Sequence, residues 1–293
     1  MPHPSTSSAY GIWSLNEVRD AERGDNWPPL IVVWTADLTN ASYDSVSDNV
    51  SSQDSTPHSI RFNNDGTKMY IVGQTNDSVF QYSLSTEFDV STASYDSVSF
   101  SVSSQENQPS GVTFNNDGTK MYVVGYNNDS VFQYSLSTGF DLSTASYDSV
   151  SLNVSSQMPF PAEVIFNNDG TKMYVAGAGN TTIFQYSLSP GFDLSTASYD
   201  SVSFSVSSQD TNIQAVAFNN GGTKMYVNGT ANDSIFQYSL STAFDVSTAS
   251  YDSVSFSHAS QETVARGLTF SSNGTKMYIV GDNGIVYQYS TGL

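Results

Sequence analysis

Apolar and polar residues alternate with a period of two along most of the chain, which is typical of β-strands. In residues 120–124 apolar side chains fall on both sides of the alternation, so we expect both faces of this strand to be covered. In residues 98–102 they fall on one side only, and the other side is rich in serine. The alternation therefore predicts an all-β fold in which covered inner strands are followed by a half-exposed outer strand.

The pattern repeats at a fixed spacing of 52 residues. The phrase Phe-Asn-Asn-Asp-Gly-Thr-Lys-Met-Tyr occurs at residues 62–70 and 114–122, and related copies begin at Phe166, Phe218 and Phe270. A long fixed period indicates one supersecondary unit copied in tandem. Each unit contains four short strands, and the Asn-Asn-Asp-Gly sequence between the first two has the residue types of a tight turn.

Four-stranded antiparallel units that repeat in this way are typical of the blades of a β-propeller. The first three strands of the unit occur five times, and the fourth strand also occurs five times, at Ala41, Ala93, Ala145, Ala197 and Ala249. The copy at Ala41 has no strands before it, and the set ending at Tyr289 has no fourth strand after it. We therefore predict a five-bladed β-propeller over residues 31–293, closed by one N-terminal strand that joins three C-terminal strands.

Residues 1–30 precede the repeat and are predicted to form a docking arm. The Ser-Leu-Asn-Glu sequence at 14–17 is a capping box with apolar residues at the staple positions, which predicts a short helix over roughly residues 15–23. Two interpretations remain open for the arm, a helical plug packed on the propeller and an attachment segment for a partner. The predicted partner-docking residues are Trp13, Leu15, Val18 and Trp27.

Two resemblances add to this interpretation. Residues 10–28, with Gly-Ile-Trp-Ser-Leu-Asn-Glu followed by Trp27 and Pro28, resemble a segment of virion and tail-associated proteins of tailed bacteriophages. The repeats, with Asp-Gly-Thr-Lys-Met-Tyr-Val-Val-Gly, resemble the strand pair of YVTN-type propellers, which usually have more blades. The first resemblance implies attachment to a virus particle, and the second implies a fold but no particular activity.

Composition excludes several classes of function. The chain has 9 Lys and Arg against 28 Asp and Glu, a net charge of −19, so nucleic-acid and anionic-membrane partners are not expected. It has no cysteine, which excludes thiolate metal sites and cysteine nucleophiles. No apolar run approaches the roughly 20 residues of a membrane helix, and residues 1–10 lack the apolar core of a signal peptide. We expect a virion or extracellular location without a signal peptide.

The five copies differ from one another mainly in two loops, one after Ser-Ser-Gln and one between the second and third strands. In an up-and-down blade both loops emerge on the same face, so the variation is confined to that face and the axial mouth. Drift in tolerant loops is one explanation; a recognition surface is the other, and it predicts a ligand-binding face. The predicted ligand-binding residues are Asp54, His58, Glu106, Tyr126, Phe160, Asp210, Gln214, Glu262 and Arg266.

Four of the five copies carry a carboxylate at one aligned position in these loops, and the third copy carries Met158. They are Asp54, Glu106, Asp210 and Glu262. We expect solvated loop carboxylates; the alternatives are a calcium-type site and a glycosidase acid/base pair. The three histidines share no motif, and no nucleophile or phosphate-binding motif is present. The sequence therefore predicts no catalytic residue, no metal site and no cofactor, with calcium as the alternative.

Together these observations predict a non-enzymatic virion or tail-associated phage protein. Its variable face binds a host-surface glycan or protein, and residues 1–30 attach it to other virion or tail proteins. One alternative is a glycan-binding, lectin-type propeller unconnected to a virus. Another alternative is a propeller hydrolase or lactonase.

Overall fold

A computed structural model of the protein describes residues 33–293, and it confirms the predicted five-bladed β-propeller. Each of the five sheets has four antiparallel strands. The propeller is one compact unit, Trp34–Leu293. The predicted arm, with Trp13, Leu15, Val18 and Trp27, lies outside the described residues. Within the described residues, no helix has the length and apolar character needed to cross a membrane.

The strands follow the predicted order in every blade. Blade 1 contains β2 (Pro57–Phe62), β3 (Lys68–Gly73), β4 (Ser78–Leu84) and β5 (Ala93–Ser101). Blade 2 contains β6 (Pro109–Phe114), β7 (Lys120–Gly125), β8 (Ser130–Leu136) and β9 (Ala145–Asn153). Blade 3 contains β10 (Pro161–Phe166), β11 (Lys172–Gly177), β12 (Thr182–Ser187) and β13 (Ser198–Ser205). Blade 4 contains β14 (Ile213–Phe218), β15 (Lys224–Gly229), β16 (Ser234–Leu240) and β17 (Ala249–Ser257).

The fifth blade combines both parts of the chain, as predicted. It contains β18 (Ala265–Phe270), β19 (Lys276–Gly281), β20 (Ile285–Ser290) and β1 (Ser42–Asn49), and we call it the mixed blade. Short 3-10 turns precede the outer strands at Leu38–Asn40, Val90–Thr92, Leu142–Thr144, Leu194–Thr196 and Val246–Thr248. Outer strands alternate between exposed and half-buried residues, while the second strand of each blade is almost wholly buried, as the alternation predicts.

Closure depends on the antiparallel pairing of β1 with β20, which runs from Ser42 opposite Ser290 to Asn49 opposite Ile285. An ion pair reinforces it, with Lys276 Nζ 2.6 Å from Asp44 Oδ2. The other oxygen of Asp44 accepts a 2.6 Å bond from the Ser290 hydroxyl. In the other blades an equivalent Lys–Asp–Ser network joins the second, third and fourth strands. The mixed blade has the same network, but its aspartate comes from the N-terminal strand and its lysine and serine come from the C-terminal strands.

Adjacent blades are joined by one tyrosine bond at each of the five junctions. The second-strand tyrosine of each blade donates its phenol proton to a backbone carbonyl of the next blade, for example Tyr70 to Phe140 at 2.5 Å. The five donor–acceptor pairs are Tyr70–Phe140, Tyr122–Phe192, Tyr174–Phe244, Tyr226–Ala36 and Tyr278–Phe88. Because the acceptor for Tyr226 precedes β1, the N-terminal segment completes this set of bonds.

Trp34 replaces a repeated phenylalanine in the mixed blade. In blade 1 the Phe88 ring lies over Gly66, where an added Cβ would approach the ring to 2.3 Å, and φ of Gly66 is +73°. The residue aligned with Phe88 in the N-terminal segment is Ala36, which is too small for this role. Trp34, two residues earlier, lies instead over Gly274, with its ring centroid 5.2 Å from that of Phe270. The indole therefore fills the space that phenylalanine fills elsewhere.

We expect Asp44→Asn to weaken the closure of the ring locally. The substitution keeps the size of the side chain but removes the charge that pairs with Lys276, and charge-assisted bonds of this kind contribute about 1.5–3 kcal/mol. Amide hydrogen exchange in β1 and β20 should accelerate, because no loop connects these two paired strands, which lie at opposite ends of the propeller sequence. The matched control is Asp148→Asn, which breaks the same network in blade 2; it should leave exchange in β1 and β20 unchanged, and equal acceleration by both variants would contradict the prediction.

We expect Asp48→Phe to stabilise the protein by about 1–2 kcal/mol at pH 7. Asp48 occupies the position where Phe100 packs edge-on against Tyr134, with ring centroids 5.4 Å apart. Burial raises the pKa of Asp48, which shows that its charge is poorly solvated beside Tyr82. Urea unfolding measures the gain. The reciprocal variant Phe100→Asp should lose stability, and a destabilised Asp48→Phe would show that this position does not accept a ring.

Candidate functional site

An ion pair crosses the propeller axis, which is surrounded by the inner strands β2, β6, β10, β14 and β18. Arg61 Nη2 of blade 1 lies 2.7 Å from Glu163 Oε2 of blade 3, and the side chains are 12% and 2% exposed. Arg61 Nη1 also donates to the carbonyls of Ile60 at 2.7 Å and Leu268 at 3.1 Å. Glu163 Oε1 accepts the Val164 N–H at 3.0 Å. The pair therefore joins blade 1, blade 3 and the mixed blade at the centre of the ring.

Small residues at the level of Glu163 make room for this pair. The aligned residues of the other inner strands are Ser59, Gly111, Ala215 and Gly267. A Cβ on Gly111 would lie 2.8 Å from the carbonyl oxygen of Ala162, and one on Gly267 would lie 3.0 Å from Cα of Ser59. The inner strands approach too closely for a larger side chain at these two positions, and Glu163 takes the space that remains.

The environment of Glu163 places its titration near neutral pH. Burial raises the pKa of its carboxyl group to about 7, although Arg61 and the Val164 N–H act in the opposite direction. A buried acid with a strongly displaced pKa and a specific charged partner is a candidate for a functional role. At neutral pH the charge of this carboxyl group is therefore sensitive to anything that binds beside Arg61.

Arg61 also lines a cavity of about 350 Å³. We call it the lower cavity, since it lies on the face that carries the turns between the first and second strands. Its walls are aromatic: Trp34, Phe114, Phe166, Phe192, Phe218, Phe244 and Phe270. Thr113 and Thr269 line it at the level of Arg61. The volume of the lower cavity and its lining of aromatic and polar side chains match those of small-molecule sites, which are largely apolar with a few convergent polar groups.

Asparagine side chains from the turns form part of the rim of the lower cavity. Asn64 Nδ2 donates to the carbonyl of Asn116 at 2.5 Å, Asn116 donates to Asn168 at 2.6 Å, and Asn168 donates to Asn220 at 2.6 Å. Ser272, a shorter residue, occupies the aligned position in the mixed blade. The rim is thus tied together from blade 1 to blade 4 by side chains that the repeat supplies.

The opposite end of the axis, which we call the upper mouth, is filled by side chains from four blades. Tyr126 donates to Gln214 Oε1 at 2.8 Å, and its ring centroid lies 5.8 Å from that of His58. Arg266 forms two 3.0 Å bonds with the carboxylate of Asp282 and also contacts the Tyr126 phenol. Burial, together with the charge of Arg266, lowers the pKa of His58 to about 4, so this imidazole is neutral at physiological pH.

The structure brings together four of the nine predicted ligand-binding residues. His58, Tyr126, Gln214 and Arg266 converge at the upper mouth. Phe160 lies in the loop before β10 and is 58% exposed, with its N–H bound to Asp129 Oδ1 at 2.8 Å. The remaining four are the aligned carboxylates. Ligand binding by these nine residues stays a prediction.

The aligned carboxylates are buried, which corrects the expectation that they are solvated. Asp54 is 1% exposed, and its oxygens accept the N–H groups of Thr56 at 2.9 Å and Asn76 at 3.1 Å. The same arrangement recurs at Glu106, Asp210 and Glu262. The carboxylate lies over a glycine, since a Cβ on Gly73 would approach Asp54 to 2.4 Å. Each carboxylate thus ties together two loops of its own blade.

The structure offers no obvious metal centre. Among residues 33–293, no three or more histidine, aspartate or glutamate side chains are placed so that they would hold a metal ion. The carboxylate oxygens that were considered for calcium accept backbone N–H groups from their own loops. Calcium binding stays a prediction that a melting experiment with and without the ion would test.

Sequence reasoning missed Arg61 and Glu163. Both lie on inner strands, whereas the comparison of the five copies concentrated on loops. A signal was present: Glu163 is aligned with Ser, Gly, Ala and Gly, and Arg61 is aligned with Thr, Ile, Ala and Thr. Each is therefore an isolated charge at a position where the other copies are small or uncharged. The alignment of the chain with itself identifies the two residues, although only the structure shows that they meet.

Comparisons with known proteins identify a family. A family model described as "Lactonase, 7-bladed beta-propeller" matches residues 37–204, more than half of the chain. No curated protein matches the chain. A putative 6-phosphogluconolactonase from Bacteroides uniformis superposes with a TM-score of 0.50 at 12% identity, covering 80% of this chain and 67% of that chain. A protein from Lactobacillus plantarum superposes with a TM-score of 0.49 at 13% identity, covering 78% and 64%.

The chain therefore spans about two thirds of the length of these two structures. At 12% identity the structure from Bacteroides uniformis supports the fold alone. The family match also bears on function, because the family is described as a lactonase. It overturns two expectations from the sequence, that the protein is non-enzymatic and that it is a phage virion or tail component. The phage expectation relied on the resemblance of residues 10–28 and on variation in the upper loops, and the non-enzymatic expectation relied on the lack of a catalytic motif. The lower cavity lies instead on the face whose loops are nearly constant. The resemblance to YVTN-type propellers stays a prediction.

We expect His58→Gln to change how stability depends on pH. The folded-state pKa of His58 is about 4 against an unfolded value of 6.5, so the wild type loses stability as pH falls from 6.5 to 4, by about 3 kcal/mol in total. The variant lacks this loss. Its free energy of unfolding, measured by urea denaturation, should therefore rise relative to that of the wild type across the same window.

Glu163→Gln serves as the control, because the ionisation of Glu163 makes stability depend on pH in the opposite direction. The pKa of Glu163 is raised from 4.5 to about 7, so the wild type loses stability as pH rises from 4.5 to 7, by about 3 kcal/mol in total. This variant should gain stability relative to the wild type toward neutral pH. In the wild type the ionisation of His58 and that of Glu163 change stability in opposite directions over nearly the same pH range, so they largely cancel. Each contribution becomes visible in the variant that lacks the other residue. Stability curves that run parallel to the wild type would contradict both assignments.

Proposed function

The chain belongs to the family of seven-bladed β-propeller lactonases, although it has five blades, and we propose that it hydrolyses a lactone in the lower cavity. The observation that carries this proposal is the position of Arg61, whose guanidinium lines the cavity and is held from behind by Glu163. A fixed cation beside a site for a small apolar molecule suits a reaction in which negative charge develops on a carbonyl oxygen.

The reaction adds water to a cyclic ester. The water oxygen bonds to the carbonyl carbon, the ring carbon–oxygen bond breaks, and a proton from water passes to the departing ring oxygen, which gives a hydroxy acid. The intermediate carries its negative charge on the former carbonyl oxygen. Arg61 is the catalytic residue in this scheme, because its guanidinium has five N–H groups in a planar fork. Three of them bind Ile60, Leu268 and Glu163, and the other two have no acceptor among the described residues.

Glu163 is a positioning residue. Its carboxylate contacts the guanidinium and lies behind it, so it does not line the cavity itself. When ionised, it fixes the orientation of Arg61 by a charge-assisted bond. With a pKa of about 7, this control operates close to neutral pH. The rate of hydrolysis should therefore rise as Glu163 ionises.

The walls of the cavity favour an uncharged substrate with an apolar substituent. Among the described residues that line it, Arg61 is the single cation, and seven side chains are aromatic. A second cation, which a phosphorylated substrate would require in addition to the one at the carbonyl, is not among them. The asparagine rim offers amide groups to polar atoms near the opening. We therefore place δ-decalactone and related alkyl lactones ahead of phosphorylated sugar lactones as substrates.

We expect Arg61→Met to lower kcat/KM for δ-decalactone by about 100-fold or more, since the removal of one oxyanion donor has an effect of about 10²–10³. A pH-stat assay measures the acid released. Arg61→Lys should retain part of the activity, because it keeps the charge and loses the planar fork. Arg266→Met removes an arginine from the upper mouth and should leave the rate within about twofold of the wild type; an equal loss in both variants would place the site elsewhere.

The pH profile separates positioning by Glu163 from a purely structural role. The wild-type rate should increase through an apparent pKa of about 7. Glu163→Gln should abolish this inflection, because glutamine does not titrate, and Glu163→Asp should restore it in part. If the inflection persists in Glu163→Gln, another group controls the rate. If the wild type hydrolyses no alkyl lactone, the proposed function fails.

A further inference from the structure

The lower cavity has one charged side chain in its lining, within the part of the chain that the structure describes, and that side chain is Arg61. Three of its five N–H groups bind Ile60, Leu268 and Glu163, and the other two have no acceptor among the described residues. The cavity, of about 350 Å³, thus contains a cation with two unpaired donors and no acidic side chain in its walls. This is an environment that suits an anionic group.

Two threonine hydroxyl groups lie on either side of Arg61. Thr113 of β6 and Thr269 of β18 are aligned with it, and β6 and β18 are the inner strands next to β2. Both threonines line the cavity, and neither hydroxyl group has a hydrogen-bond partner in the described part of the chain. The other two aligned residues, Ile165 and Ala217, are apolar. Donors therefore occupy one half of this level and apolar side chains the other half, which suits a molecule with one polar head and an apolar tail.

An anion bound in the cavity would share the Arg61 guanidinium with Glu163. Glu163 Oε2 lies 2.7 Å from Arg61 Nη2, and the Glu163 side chain is 2% exposed. Burial raises the pKa of Glu163 to about 7, although Arg61 acts in the opposite direction. A second negative charge beside the same guanidinium disfavours the ionised form of Glu163, because like charges repel. Its pKa then rises further, and Glu163 takes up a proton when the anion binds.

Glu163 is the group at this centre that titrates near neutral pH. The inner strands packed against β10 are β6 and β14, and neither carries a titratable side chain. Toward the upper mouth, burial raises the pKa of Tyr126 to about 12 and lowers that of His58 to about 4, so neither changes its charge near neutral pH. Arg266 is paired with Asp282 there.

The other charged groups around this centre keep their charge over the same range. Strands β7 and β11 also pack against β10, and their lysines form 2.7 Å ion pairs, Lys120 with Asp148 and Lys172 with Asp200. The tyrosines of these strands bond to carbonyl groups of the next blade. On the lower face, hydrogen bonds from threonines lower the pKa of the turn carboxylates, which stay ionised: Asp65, Asp117 and Asp169. A pH effect near neutrality therefore reports on Glu163.

We propose that the lower cavity binds small monocarboxylates with an apolar tail, and that each bound carboxylate is accompanied by a proton on Glu163. The carboxylate accepts from the two unpaired N–H groups of Arg61 and from the hydroxyl groups of Thr113 and Thr269. The tail lies against the aromatic walls. Because protonated Glu163 favours the anion, affinity is highest below pH 7 and falls as pH rises through the pKa of Glu163.

This binding goes beyond the proposed function, since it requires the cavity and its arginine but no hydrolysis. An uncharged lactone becomes a hydroxy acid when it is hydrolysed, so the product of the proposed reaction is one member of this ligand class. Rising pH weakens the binding of such a product and favours its release.

Calorimetric titration of the full-length protein with hexanoate tests the proposal. The buffer contains about 0.15 M salt, which screens the exposed turn carboxylates. The Kd should rise about tenfold between pH 6.5 and pH 8.5, a factor typical of coupled sites. At pH 8, titrations in phosphate and in Tris, which differ in ionisation enthalpy, should show uptake of more than about half a proton per hexanoate. Hexanamide has the same tail without the charge, and its binding should not depend on pH.

Glu163→Gln gives the sharpest test, because glutamine resembles the protonated acid. This variant should bind hexanoate at pH 8.5 about as tightly as the wild type does at pH 6.5, without proton uptake. Structural damage would weaken binding, so a gain in affinity at high pH does not arise from it. Arg61→Met should abolish binding, and Thr113→Val, which keeps the shape of the side chain, should weaken it severalfold. Arg266→Met, at the upper mouth, should bind hexanoate as the wild type does.

Four results would each overturn the proposal. They are no binding of hexanoate to the wild type, equal affinity at both pH values, an unchanged pH dependence in Glu163→Gln, and wild-type affinity in Arg61→Met. Proton-coupled binding by a protein that hydrolyses no lactone would support this proposal and defeat the proposed function. Hydrolysis of δ-decalactone by a protein that does not bind hexanoate would do the reverse.

Discussion

The pairing of β1 with β20 decides whether the five sheets form a ring or an open stack. At three junctions between blades the tyrosine bond joins repeats that are neighbours in sequence. The other two junctions flank the mixed blade: Tyr226 needs the carbonyl of Ala36, which precedes β1, and Tyr278 donates to the carbonyl of Phe88 in blade 1. Closure places five inner strands around one axis, and only then do Arg61 and Glu163 face each other. The ion pair, the lower cavity and the upper mouth are all consequences of this one pairing.

The fold was predictable because its causes are local and repeated. Alternation with a period of two and the Asn-Asn-Asp-Gly turns specify each strand pair, and the count of strands specifies the mixed blade. Trp34 was not predictable in this way. It lies two residues away from the position of the repeated phenylalanine, and only packing over Gly274 shows that it takes that role. The burial of the aligned carboxylates was not predicted for a related reason, because the glycine that accommodates each one is the last residue of the second strand and lies far from it in sequence.

The candidate site was less predictable than the fold. Variation among the copies drew attention to His58, Tyr126, Gln214 and Arg266, which meet at the upper mouth, and away from the nearly constant lower face. Loop comparison does not reveal a contact across the axis, since Arg61 and Glu163 belong to blades that are not neighbours. Their recognition requires knowing both that the ring is closed and how wide it is. Family membership then suggested the chemistry of the proposed function, which neither residue indicates alone.

The contact between Arg61 and Glu163 also depends on the number of blades in the ring. The pairing of β1 with β20 lies within the mixed blade, so a whole repeat added elsewhere would leave every residue of this pairing with its present partner. Such a chain would still close, but around a wider axis, and an arginine and a glutamate from opposite sides would no longer meet. A change in the number of blades would therefore alter the chemistry at the centre of this protein while preserving the architecture around it.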